Sequence, residues 1–88
     1  MQVDFTKHFS RRLDRERDEA LRDKLRNVVR TVINANTVRD IPGLKKLKGS
    51  STAYRIRLGD YRIGLFIEDG RALFAAFEHR KEIYNRFP

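Results

Sequence analysis

Arginine alternates with apolar side chains through Tyr54-Arg55-Ile56-Arg57-Leu58, and another arginine, Arg62, follows Gly59-Asp60-Tyr61. Successive side chains of a strand point to opposite faces, so Arg55 and Arg57 share one face and Tyr54, Ile56 and Leu58 the other. Gly59-Asp60 suits a two-residue hairpin turn with glycine first. That turn sets Leu58 opposite Tyr61, Ile56 opposite Ile63, and Arg57 opposite Arg62. Like charges facing each other across a sheet are destabilising unless something anionic lies over them. The hairpin therefore predicts affinity for polyanions. Lys45, Lys46 and Lys48 precede it, so Leu44 to Arg62 holds six basic residues and a single acid, Asp60.

Downstream lie His79, Arg80 and Tyr84. Histidine exchanges a proton near neutral pH. Beside several arginines it suits RNA phosphodiester cleavage. A base takes the proton of a 2′-hydroxyl, cations stabilise the phosphorane, and an acid protonates the leaving 5′-oxygen. Arginine fits the middle task because its planar fork donates to two phosphate oxygens at once. It is a poor base, since it stays protonated. Tyr84 suits stacking on a nucleobase or bonding a phosphate. Plainer readings stand beside these: a surface histidine at a strand end, a tyrosine covering the sheet edge, a solvated basic face. Which residue joins the arginines depends on the Asp69-Gly70 turn. A two-residue turn places His79 on their face, and a bulged three-residue turn places Arg80 there. The sequence has no HExxH, P-loop, carboxylate cluster or cysteine, so no metal site and no cofactor is expected.

The elements that position these residues follow from periodicity. Gln2-Val3-Asp4-Phe5 alternates as a short strand. Thr6 suits the cap of a helix bearing Phe9 and Leu13. A soft break near Asp14 leaves two helices or one bent helix. Leu21, Leu25, Val28, Val29, Val32 and Ile33 then form one helical face. At about 1.5–3 kcal/mol per buried side chain, this stripe is expected to be the largest single stabilising contribution. Glu16, Asp18 and Glu19 suit its first turn, with Asp18 paired to Arg22. Asn34 to Asn36 ends the helix, and a lysine-rich loop runs from Leu44 to Ser51. Three strands follow, Ala53–Leu58, Tyr61–Glu68 and Ala72–Glu78, the last two joined by Asp69-Gly70. Lys81 to Phe87 closes with a helical turn. The expected fold is a two-layer α+β domain spanning residues 1–88. Its N-terminal strand and two helices pack on one face of a small, mostly antiparallel sheet. The opposite face, bearing Arg55, Arg57, Arg62 and Phe66, is expected to stay open.

Composition agrees with this plan. The chain has 88 residues, a net charge of +8 and 40% apolar residues, enough for one modest core. No apolar run approaches the roughly 20 residues of a membrane span, and a cytoplasmic location is expected. A cationic field of this kind implies nucleic acid, anionic lipid or an acidic protein partner.

The "LKG" loop, "YRIRLGDYRIGLFIEDG" and "HRKEIY" resemble the RelE/ParE superfamily of toxin–antitoxin pairs. The resemblance covers nearly the whole chain in element order, with its specific motifs between Leu47 and Tyr84. It implies a RelE-like α+β fold and, in the RelE-like branch, metal-independent cleavage of mRNA in the ribosomal A site. It also implies a cognate antitoxin that wraps the toxin, encoded in the adjacent gene. By position, Arg55 and Arg57 match the basic pair of the second strand, and Arg62 the arginine after the hairpin turn. Arg80 matches the basic residue after the last strand, and Tyr84 the tyrosine that stacks on substrate. The ribonuclease prototype has lysines as its strand pair and assigns one of them the base role. With arginine at both positions, either His79 takes that role or the site works by phosphate stabilisation and substrate positioning. Two alternatives share the fold: a ParE-like inhibitor of DNA gyrase, and a non-catalytic RNA- or ribosome-binding protein.

Overall fold

The computed structural model describes residues 1–88 in the order β1 (Gln2–Phe5), α1 (Lys7–Arg15), α2 (Glu19–Asn34), β2 (Leu44–Lys46), β3 (Ala53–Leu58), β4 (Tyr61–Glu68), β5 (Arg71–His79) and α3 (Ile83–Arg86), with a 3-10 turn at Val38–Asp40. One five-stranded sheet carries the order β1-β5-β4-β3-β2. Only β1 runs parallel to its neighbour, β5. No helix is long and apolar enough to cross a membrane.

The helical layer starts where a side chain can satisfy orphan backbone donors. Thr6 accepts the Phe9 N–H at 3.1 Å, and Asp18 accepts the Leu21 N–H at 3.1 Å, so each caps a helix. The soft break is therefore a true corner between two helices. Arg22 does not pair with Asp18. Its guanidinium donates instead to the Leu13 carbonyl, which also accepts the Glu16 N–H, and to the Glu16 carbonyl just past the end of α1.

The core lies between this layer and the sheet. Phe9, Leu25 and Val32 pack with Ile56, Ile63, Leu65, Phe74 and Phe77, all nearly inaccessible to solvent. Phe5, Phe9 and Phe74 form a ring cluster with centroids 5.5–5.6 Å apart. The α2 stripe contributes less than its periodicity implies. Only Leu25 and Val32 are buried; Leu21, Val28 and Val29 are half-buried, and Ile33 is 49% exposed. Among the strands, α2 lies nearest the edge strand β1, so only one line of its apolar face meets the core.

Two further expectations are corrected by the sheet. Leu44–Lys46, read as loop, is an edge strand paired antiparallel with Leu44 opposite Ile56 and Lys46 opposite Tyr54. Three residues and two lysines gave too little alternation to register as a strand, although exposed lysines are common on edges. The face opposite the helices is also not fully open. Ile83 and Phe87 cover part of it, forming a second small cluster with Ala53 and Ala76, and Phe66 packs against it.

The ring cluster and the α2 stripe should therefore differ in energetic weight. Phe74→Ala is expected to lower the unfolding free energy by about 3–5 kcal/mol. Ile33→Ala should cost about 0.5 kcal/mol or less. Denaturant titration of both variants checks the ranking, and equal losses would contradict it.

Candidate nucleic-acid interface

The β3–β4 hairpin turns at Gly59-Asp60 with Arg57 opposite Arg62, Ile56 opposite Ile63 and Leu58 opposite Tyr61, as the sequence predicts. Ile56, Leu58, Tyr61 and Ile63 enter or border the main core, which forces the arginines onto the other face. Lys45 lies opposite Arg55 on β2 and joins them. Gly43, Lys45, Arg55, Arg57 and Arg62 line an open cavity of about 320 Å³ that no hydrophobic residue enters. Lys46 pairs with Tyr54, on the opposite side of the pleat, and Lys48 lies beyond the strand, so neither lines this cavity.

Geometry holds the cradle in place while its charge stays uncompensated. Arg62 donates to the Gly59 and Tyr61 carbonyls at 2.7 and 2.8 Å, which fixes its guanidinium at the turn. The Arg80 N–H donates to the Asp60 carbonyl at 2.8 Å, tying the start of the last segment to the same turn. The Arg55 guanidinium lies 5.2 Å from the Tyr84 ring centroid, and Tyr84 is 74% exposed. None of Lys45, Arg55, Arg57 or Arg62 takes part in a salt bridge. Four cations thus converge without an ion-pair partner, a charge and a set of donors that suit an anion.

His79 does not stand on the arginine face. The Asp69-Gly70 turn has two residues, with Glu68 opposite Arg71, which alone would have placed it there. However, Leu65 pairs with Phe74 while Gly64 pairs with Ala76, so Ala75 is an extra residue in β5. Such a bulge reverses the alternation beyond it. Glu78 then falls opposite Arg62, and His79 opposite Tyr61, whose ring it meets edge-on at 5.5 Å. The His79 Nδ1 accepts the Lys81 N–H at 3.2 Å, leaving Nε2 as the free ring nitrogen.

Glu78 and Phe87 are the residues the sequence reading missed. The Glu78 carboxylate meets Arg12 of α1 at 3.7 Å and Arg86 of α3 at 3.3 Å, joining the two ends of the chain. Arg12 lies 4.9 Å from the Phe77 ring centroid and 2.9 Å from Glu16. Burial alone would raise the Glu16 pKa. The Asp18 N–H and the Arg12 guanidinium outweigh it and hold the carboxyl below its usual range. Phe87 gave a clearer signal in retrospect: a large aromatic beyond Tyr84 needs a hollow, and Gly64 sits mid-strand without requiring positive φ.

Solved structures at low identity share this fold. The RelE-RelB complex from Pyrococcus horikoshii matches at a TM-score of 0.72 and 22% identity, covering 90% of this chain and 93% of that chain. The intact RelBE complex of E. coli matches at 0.70 and 17%, covering 89% and 94%. These likenesses define the class by its fold, a small α+β domain with helices on one face of a mostly antiparallel sheet. Closer likeness narrows it further. Toxin RelE3 of Methanocaldococcus jannaschii is 36% identical over 69 residues, 77% of this chain and 78% of that protein. A RelB-RelE antitoxin-toxin complex from Methanococcus jannaschii has a TM-score of 0.80 at 32% identity, covering 98% of this chain and 100% of that chain. The chain belongs to the RelE toxin family. No protein-family model matches it.

Two measurements test these contacts. Removing one cradle arginine, by Arg57→Ala or Arg62→Ala, should weaken binding of single-stranded RNA. It should also reduce the slope of log K against log salt by about 0.7; an unchanged slope would exclude the cradle as the contact. Because the folded Glu16 pKa is lowered, its stabilisation is complete above the unfolded value and is lost as pH falls through the folded one. Glu16→Gln should therefore be less stable than the parent at neutral pH, and the gap should close as pH falls through the lowered folded value.

Proposed function

We propose that this chain is the toxin of a type II pair and an endoribonuclease that cuts mRNA, in the ribosomal A site, without a metal. The observation that carries the reading is the uncompensated cradle of Lys45, Arg55, Arg57 and Arg62 beside an exposed tyrosine. In it, Arg57 and Arg62 hold the scissile phosphate and stabilise the phosphorane, since their forks donate to non-bridging oxygens as negative charge grows there. Arg80, whose backbone N–H is bonded to the Asp60 carbonyl at the same turn, is the further cation in this reading. Arg55 and Lys45 bind the neighbouring backbone, with Lys46 and Lys48 outside the cavity as longer-range attraction. Tyr84 stacks on a base.

The position of His79 favours one of the two chemical routes. Lying beside Tyr61, it serves the arginine face only from around the strand end. The geometry therefore supports a site that works by phosphate stabilisation and substrate positioning. The partner in this reading is a cognate antitoxin, by analogy with relatives solved as RelB-RelE complexes.

In vitro translation with the purified protein, followed by mapping of message ends, tests the activity. New ends inside translated codons are expected. Arg57→Ala, Arg62→Ala and Arg80→Ala should each lower cleavage by about 10²-fold or more while the fold persists. His79→Ala should retain most activity. Intact messages, with an SOS response in cells, would replace this reading by gyrase inhibition. Salt-dependent RNA binding without fragments would replace it by a non-catalytic role.

A further inference from the structure

Tyr84 is 74% exposed, so its own packing does little to fix it against Arg55. The four-residue helix that carries it, Ile83–Arg86, is too short to be stable by itself. Its position must come from what flanks it. Ile83 and Phe87 are buried on either side, 1% and 7% exposed, and the Phe87 N–H closes the turn onto the Ile83 carbonyl at 2.9 Å.

The seat of Phe87 is specific. Its ring lies over Gly64, where an added Cβ would come within 2.5–2.8 Å of three ring atoms. Gly64 is not required by backbone conformation, because its φ is not in the positive region. A glycine inside a strand marks a bulge or a close approach, and this one does both. It also stands directly opposite Arg55 in the β3–β4 register. The hollow that takes Phe87 is thus one strand away from the guanidinium that carries Tyr84.

We propose that Phe87, seated on Gly64, is the positioning residue that holds Tyr84 over Arg55 and so fixes where a base stacks. The stacking half of this proposal rests on the RNA reading above; the seat itself does not. Breaking the seat frees α3 while leaving the main core untouched, since Phe87 belongs to the smaller cluster on the arginine side.

The test uses the full chain with Phe87→Ala, Gly64→Ala, Tyr84→Ala and the Phe87→Ala/Tyr84→Ala double variant. The Tyr84 ring should shift the Arg55 side-chain resonances in NMR spectra. That shift should vanish in Tyr84→Ala and collapse in Phe87→Ala and Gly64→Ala, while the amide signals of β3 to β5 persist. On RNA, Tyr84→Ala should lose about ten-fold in kcat/KM. Phe87→Ala should lose most of the same factor, and the double variant should be no worse than Tyr84→Ala. A ring shift that survives Phe87→Ala overturns the seat. Losses that multiply in the double variant overturn the action through Tyr84. Should Gly64→Ala fail to fold, Phe87→Ala alone decides. A parent protein that cuts no message sinks the stacking half, and the resonances still decide the seat.

Discussion

One extra residue, Ala75, governs what each face of the sheet presents. Phe74 and Phe77 stand three apart, a spacing that strict alternation sends to opposite faces. The bulge lets both reach the same core, and the rest of β5 inherits the reversed phase. Ala76 then faces Phe87, Glu78 opposes Arg62, and His79 turns toward Tyr61. The bulge also meets the helical layer, because Thr6 donates its hydroxyl to the Ala75 carbonyl while capping α1. A local irregularity thus decides core composition and the identity of the residues around the arginines.

Charge is sorted rather than mixed. Glu16, Arg12, Glu78, Arg86 and Glu82 form a chain of ion pairs that runs from α1 to α3. Those carboxylates are committed to that chain, and none of them, Glu78 opposite Arg62 included, forms an ion pair with Lys45, Arg55, Arg57 or Arg62. Partly exposed ion pairs of this type contribute modestly to stability. Their larger effect is to leave the cradle positive, so its field reaches an approaching polyanion undiminished by internal partners.

The hairpin was legible in the sequence because every signal agreed: alternation, turn residues and apolar register all give Arg57 opposite Arg62. The helical layer was legible from the Thr6 cap and the apolar spacing. The corner between its two helices was not, because Asp18 read as a first-turn residue paired with Arg22 and not as the α2 cap. What escaped was either featureless or long-range. Ala72-Leu73-Phe74-Ala75-Ala76-Phe77 is apolar on both faces, so its alternation could not reveal a slip, although the Phe74–Phe77 spacing held the clue. The partners of Glu78 are Arg12, far upstream in sequence, and Arg86, on the short helix after the strand. The α2 stripe looked larger than it is because periodicity reports a face and not how much of it a neighbour covers.

The parallel pairing of β1 with β5 sets the order in which the chain can become itself. Gln2 to Phe5 have no strand partner except Arg71 to Phe74. The Phe5, Phe9 and Phe74 rings therefore cannot assemble until most of the chain is made. Loop closure over such a separation comes late, after the local β3–β4–β5 meander. The native toxin is a property of the almost completed chain, not of any shorter one.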